Sequence, residues 1–142
     1  MQDNTKQFIA MKAFLLFKDK VLILRESPNY EEGTNKGRYD LVGGRVAPGE
    51  NFANALLREI KEETSLDAQI GKPILVDEWY PIVKGEQWHV IGVSFKCSAN
   101  SDQIMLNGDH DDYKWIDPKD YKNYPLTTNA YNVFDAYLKE NN

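Results

Sequence analysis

Two near-continuous apolar runs open the chain, "FIAMKAFLLF" at 8–17 and "VLILRE" at 21–26, separated by "KDK". A strand with one wet face alternates apolar and polar residues, whereas a run that is apolar at nearly every position needs cover on both faces. The pair therefore predicts two buried strands joined by a tight turn, in a sheet with helices on either side. Lys12 interrupts the first run as its single charge.

The rest of the chain supplies elements for that architecture. From Asn51, a candidate N-cap, the spacing turns helical, with Phe52, Leu56 and Ile60 in one stripe and Ala53 and Leu57 beside it. "PILVDEWYPIV", the turn "KGEQ" and "WHVIGVSFKC" predict a long hairpin. On its second strand His89, Ile91, Val93, Phe95 and Cys97 share a side expected to face the core. "SANSDQIMLNGDHDD" reads as a loop, "YKWID" as a short strand and "PKDY" as one helical turn. The close, from about Thr127 to Lys139, predicts an amphipathic helix with Tyr131, Phe134 and Leu138 turned inward. No repeat or linker breaks this order, so 1–142 is expected to be one mixed α/β domain.

Composition removes several function classes. With 42% apolar and 27% charged residues the chain has the makings of a folded core. A net charge of -5 argues against a general surface for nucleic acid polymers, which needs a basic patch. An anionic small substrate stays compatible if metal ions and a few arginines screen the repulsion. The single cysteine, Cys97, has no partner for an internal disulfide, which suggests a reducing compartment. The first twenty residues lack both a basic leader and an uninterrupted apolar span. A cytoplasmic protein with no membrane association is the expectation.

The first helix carries an anomaly at its end, in "LREIKEETSLD". At 100° per residue, Glu59, Glu62 and Glu63 fall within about 100° of arc. Carboxylates at these spacings repel one another by a few tenths of a kcal/mol per pair. They also stand at the helix C-terminus, where the dipole disfavours negative charge. A solvated face with Arg58 and Lys61 as partners accounts for the cluster taken alone. A cation bound by all three carboxylates would offset the repulsion further, and hard divalent ions take oxygen ligands together with substrate phosphates.

The upstream spacing favours the second reading. Gly44, Glu50, Arg58, Glu59, Glu62 and Glu63, with aliphatic Ile60 and Leu66, stand at fixed intervals. This pattern resembles the Nudix box: Gly, five residues, Glu, seven residues, Arg-Glu-aliphatic-any-Glu-Glu-any-Gly-aliphatic. Gly44 to Leu66 match eight of its nine specified positions. Ser65 is the departure, standing where the box has a glycine just past the helix, at a position where φ > 0 is usual. The wider chain agrees: "GRYDLVGGRVAPGE" looks like the family's approach to the box, with Val42 where proline is common, and "GDHDDYKWID" is similar to an acidic, aromatic segment of many members.

The resemblance implies an α/β/α sandwich, its mixed sheet between the box helix and the C-terminal helix. It also implies hydrolysis of the diphosphate linkage in nucleoside diphosphate derivatives (nucleoside triphosphates, nucleotide sugars such as ADP-ribose, or dinucleotides) with Mg²⁺ or Mn²⁺. Carried over, Glu59, Glu62 and Glu63 are metal ligands, and one of them orients or deprotonates the attacking water. Arg58 is expected to fix these carboxylates by hydrogen bonding. Glu50 either adds a ligand or holds Arg58. Gly43 and Gly44 let the backbone approach metal or phosphate closely, with a Gly44 carbonyl as a conceivable ligand. Arg25, Arg38 and Arg45 are phosphate clamps or surface charges. Asp109, His110, Asp111 and Asp112 supply a further base or ligand, or form a solvated loop. Trp79, Tyr80 and Trp88 stack on a nucleobase or pack the core, and core packing is expected for at least two.

Two other readings stay open. One is a catalytically silent, nucleotide-sensing or partner-binding module on the same fold. The other is a structural calcium-binding domain, which the Gly-Gly turn and the spaced Arg-Glu pair do not suit. The partner is a small-molecule nucleotide, and a homodimer is left open.

Overall fold

A computed structural model describes residues 4–141, and strand alternation sets its layers. Strands β1 (Lys6–Phe17) and β2 (Lys20–Glu26) form the expected hairpin, turned at Lys18 and Asp19 with φ 48 and 66. Met11, Ala13, Leu15, Leu22 and Leu24 join one core cluster, whereas Phe14, Val21 and Ile23 join a second on the opposite face. Each face is covered by one helix: Leu56 and Ile60 of α1 (Phe52–Thr64) on the first, Ala130, Val133 and Phe134 of α2 (Thr128–Glu140) on the second.

The sheet also contains β3 (Tyr39–Asp40), β4 (Val42–Arg45), β5 (Ala68–Trp79), β6 (Ile82–Val83), β7 (Glu86–Ala99) and β8 (His110–Ile116), followed by a short 3₁₀ helix at Pro118–Asn123. Its main path among the described residues is β3-β2-β1-β7-β5, with β8 on β2, β6 on β7 and β4 on β1. The β1–β7 pairing is parallel and the other named pairings are antiparallel, so the sheet is mixed. On the edge away from β7, β1 is divided between two neighbours. Leu16 and Phe17 pair with β2, whereas Ala10 to Ala13 pair with β4, with Lys12 opposite Gly43. The region where β2 and β4 diverge from β1 frames the site.

Four expectations needed adjustment. His110–Asp112 is strand rather than loop, because β2 offers an edge through Glu26↔His110 to Val21↔Ile116, and Asp111 and Asp112 find partners in Arg25 and Tyr39. Phe52 is 53% exposed and stacks on Phe95, while Ala55 takes the buried place in its turn. Tyr131 is 40% exposed and leans on Tyr121 instead of entering the core. His89, at the start of β7, bonds to Glu78 and Gln7, while Val93, Phe95 and Cys97 on its side pack toward α1.

Candidate active site

Both ends of α1 are capped by side chains and backbone that the sequence specifies locally. Asn51 accepts hydrogen bonds from the Ala53 and Asn54 N–H groups. At the other end Ser65 adopts φ 67 and ψ 12, and its N–H donates to the Lys61 carbonyl. The last two turns bring Glu59 and Glu63 against the glycine pair of β4, while the more exposed Glu62 pairs with Arg58.

Arg58 organises that end of the helix. Its Nε donates to Glu50 Oε2 at 2.8 Å and its Nη2 to Glu50 Oε1 at 3.0 Å. Its Nη1 reaches Glu59 Oε1 at 3.1 Å and Glu62 Oε2 at 3.3 Å. Glu50 also accepts from the Ala47 N–H, and the paired guanidinium holds its pKa down at about 2. Both Glu50 oxygens are thus engaged, which fits the holding role and not that of a free ligand.

The glycines have distinct steric reasons. A Cβ on Gly44 would lie 2.6 Å from the Glu59 carboxylate carbon, so the carboxylate packs on bare backbone. A Cβ on Gly43 would lie 2.1 Å from the Met11 carbonyl oxygen. The Gly43 N–H donates to Glu63 Oε1 at 2.9 Å, and the other Glu63 oxygen lies 3.9 Å from His110 Nδ1. Burial pushes the Glu63 carboxyl up to about 8 and raises that of Glu59, the latter opposed by Arg58. Burial, reinforced by Lys12, lowers the pKa of His110, whose Nδ1 has no hydrogen-bond partner.

Gly43, Gly44, Arg58, Glu59, Glu62 and Glu63 line a cleft of about 560 Å³ that also carries Arg45, Tyr30, Asp109, Phe8 and Trp88. The Arg45 guanidinium lies 4.7 Å from the Phe8 ring centroid and 4.9 Å from that of Trp88, with Glu32 3.8 Å away. A second cleft of about 530 Å³ is lined by Trp79, Tyr80, Thr127, Asn129 and Asp40. Gly92 makes room for Trp79, because a Cβ there would lie 2.5 Å from its ring. A polar pocket of about 140 Å³ shares Asp40 with the second cleft, and Tyr30, Gly43, Glu63 and Asp109 with the first.

The sequence-predicted residues therefore separate into groups. Glu50, Arg58, Glu59, Glu62, Glu63, Gly43, Gly44 and Arg45 come together. Arg25 does not: it pairs with Asp111 at 2.7 Å and lies over the Tyr39 ring. Arg38 donates to the Leu126 carbonyl, away from the cleft. Asp112 accepts from the Tyr39 hydroxyl, leaving Asp109 and His110 as the members of that segment nearest Glu63. Trp79 and Tyr80 line one cleft and Trp88 the other, so these rings border clefts where core packing was expected for at least two. Phe8, Lys12, Asp40 and Asn129 were missed. The charge of Lys12 inside an apolar strand was the one sequence signal pointing to any of them.

The donor set suits a hard divalent cation, being carboxylate oxygen beside half-buried glycine backbone. Among the described residues, no three His, Cys, Asp or Glu side chains converge closely enough to ligate one ion as they stand. The carboxylates are instead held by Arg58 and by the Gly43 N–H.

Comparison with known proteins places this geometry in a family. A family model for the NUDIX domain matches residues 7–137. The chain is 30% identical over 109 residues to the nucleoside triphosphatase NudI of Escherichia coli O17:K52:H18, covering 68% of this chain and 73% of that protein. Among solved structures, the MutT protein from Methanosarcina mazei Go1 superposes with a TM-score of 0.81 at 25% identity, covering 99% of each chain. A MutT NUDIX hydrolase from Burkholderia pseudomallei gives a TM-score of 0.75 at 20% identity over 92% of this chain and 98% of its own. With the α/β/α sandwich and the box helix in place, this chain belongs to the Nudix family and is a Nudix pyrophosphohydrolase.

Proposed function

We propose that the protein hydrolyses the diphosphate linkage of a nucleoside diphosphate derivative in the acidic cleft, with Mg²⁺ or Mn²⁺ held by Glu59, Glu62 and Glu63. The observation that carries this reading is that these three carboxylates, held by Arg58 and the Gly43 N–H, line one cleft that also bears Arg45. The bound ion supplies Lewis acidity and lowers the pKa of water. The chain's own residues do the positioning. Arg58 and Glu50 hold the helix end, and bare backbone at Gly44 leaves room for the Glu59 carboxylate. Arg45, weakly paired at 3.8 Å, is available to a phosphoryl oxygen. Asp109 and His110, beside Glu63, are the residues best situated to accept a proton from water.

The aromatic cleft suits the nucleobase, with Trp79 and Tyr80 as stacking surfaces. Nucleoside triphosphates are the first substrates to test, since the NudI relative is named as a nucleoside triphosphatase. Nucleotide sugars such as ADP-ribose and dinucleotides complete the panel. Turnover with Mg²⁺ or Mn²⁺ that disappears in Glu62→Gln and Glu63→Gln is the expected result. Absence of turnover across the panel, with binding retained, would instead favour the nucleotide-sensing module.

A further inference from the structure

A lysine in the middle of an apolar strand is costly unless its charge is used. Lys12 is 8% exposed, and its Nζ donates to Asp40 Oδ2 at 3.0 Å. Asp40 in turn accepts from the Leu41 N–H at 2.8 Å and from Thr127 Oγ1 at 3.0 Å. Thr127 is the N-cap of α2 and borders the aromatic cleft. On the other side, Lys12 stands opposite Gly43 in the β1–β4 pairing, and Gly43 donates to Glu63. One short path thus runs from the cap of α2 through Asp40, Lys12 and Gly43 to Glu63. Lys12 and Glu63 also share the 140 Å³ pocket, where Lys12 stands with the acids Glu26, Asp40, Glu63 and Asp109.

We propose that Lys12 is a positioning residue of the hydrolytic site, the resident cation that holds Glu63 and Asp40 in fixed relation across the β1–β4 seam. The role rests on the proposed function, since it serves the carboxylate assigned there to the metal. Lys12 and Glu63 line one small pocket, and the Gly43 backbone, opposite Lys12 in the strand pairing, donates to the Glu63 carboxylate. Lys12 therefore keeps a buried carboxylate in place, while Asp40 ties the seam to the wall of the aromatic cleft.

The decisive variant is Lys12→Met combined with Asp40→Asn, which removes both charges of the pair and leaves their sum unchanged. Any loss in cation binding then cannot arise from a change in net charge. The amide oxygen introduced by Asp40→Asn remains an acceptor for Leu41 and Thr127. Lys12→Met alone leaves Asp40 unpaired and should lower Tm by about 5 °C, whereas the double variant should return close to the wild-type Tm. At that restored Tm, kcat should remain down roughly 10- to 100-fold with KM for the nucleotide within about twofold. Half-saturating Mn²⁺, followed by paramagnetic resonance without nucleotide, should rise about tenfold. A double variant with wild-type Tm, kcat and Mn²⁺ binding would overturn the proposal, because Lys12 would then only neutralise Asp40. If wild-type protein turns over no nucleotide, the functional reading falls, while the Mn²⁺ titration still decides the role of Lys12.

Discussion

Arg58 grips Glu50 through two parallel hydrogen bonds, Nε to Oε2 at 2.8 Å and Nη2 to Oε1 at 3.0 Å, leaving Nη1 to reach Glu59 and Glu62. The guanidinium is thereby oriented by a residue outside the helix and spent on residues within it. Glu50→Gln should leave the fold intact, since the pair is partly solvent-exposed. It should lower kcat by about 10- to 100-fold with little change in nucleotide KM, the size typical when a residue orienting metal ligands is lost. Steady-state kinetics at saturating Mg²⁺ check this, and an unchanged kcat would remove the orienting role.

The two glycines of β4 should fail in different ways. An added Cβ at Gly44 meets only the far end of the Glu59 side chain, which can swing aside. Gly44→Ala should fold with a Tm near wild type and lose most activity. At Gly43 the clash is with the Met11 carbonyl and the Lys12 Cα, backbone that cannot move cheaply. Gly43→Ala should cost about 3 kcal/mol or more of stability. Thermal melts beside turnover assays separate the two, and an equal Tm loss in both would refute the distinction.

Glu63 makes the metal-free protein sensitive to pH in a defined direction. Its carboxyl is raised from 4.5 to about 8 in the folded state, so the native form binds more protons than the unfolded form between those values. Its stabilising contribution is complete below 4.5 and is lost as pH rises toward 8. The slope for one proton is at most about 1.4 kcal/mol per pH unit. In chelator, the Tm difference between Glu63→Gln and wild type should therefore grow in favour of the variant from pH 5 to pH 8. A pH-independent difference would count against the burial-driven shift. Mn²⁺ affinity should rise over the same window, as the ligand ionises.

Ser65 marks a local cost that does not touch the ligands. At φ 67 a side chain is strained, whereas glycine takes the conformation freely. Ser65→Gly should raise stability by about 0.5–1 kcal/mol, or roughly 2–4 °C in Tm, with kcat unchanged. Parallel melts and kinetics measure both quantities.

Much of this molecule was legible in one dimension because the information is local. Continuous apolar runs predicted a sheet covered on both faces, and Phe14 and Leu15, adjacent in sequence, do face opposite helices. Asn51 and Ser65 end the helix through their own backbone and side chains. Glu59, Glu62 and Glu63 share an arc by helical geometry alone. Where packing decides between equivalent faces, sequence was weaker. Phe52 fits the apolar stripe, yet Ala55 is the residue that enters the core. The charged residues at 110–112 read as loop until the free edge of β2 is known.

The amino-acid sequence by itself determined the layered α/β architecture, the box helix with its caps, and the acidic set that the helix displays. These follow from periodicity and spacing along a single element. The tertiary structure decided which arginine serves the cleft: Arg45 enters it while Arg25 is taken by Asp111. It also brought Lys12, Asp40 and Glu63 to one pocket from three separated segments, and set Trp79 beside Asn129 in a second cleft. Such meetings depend on strand register and on how β1 divides itself between β2 and β4. No local propensity encodes them, because each is settled only when every strand has found its neighbour.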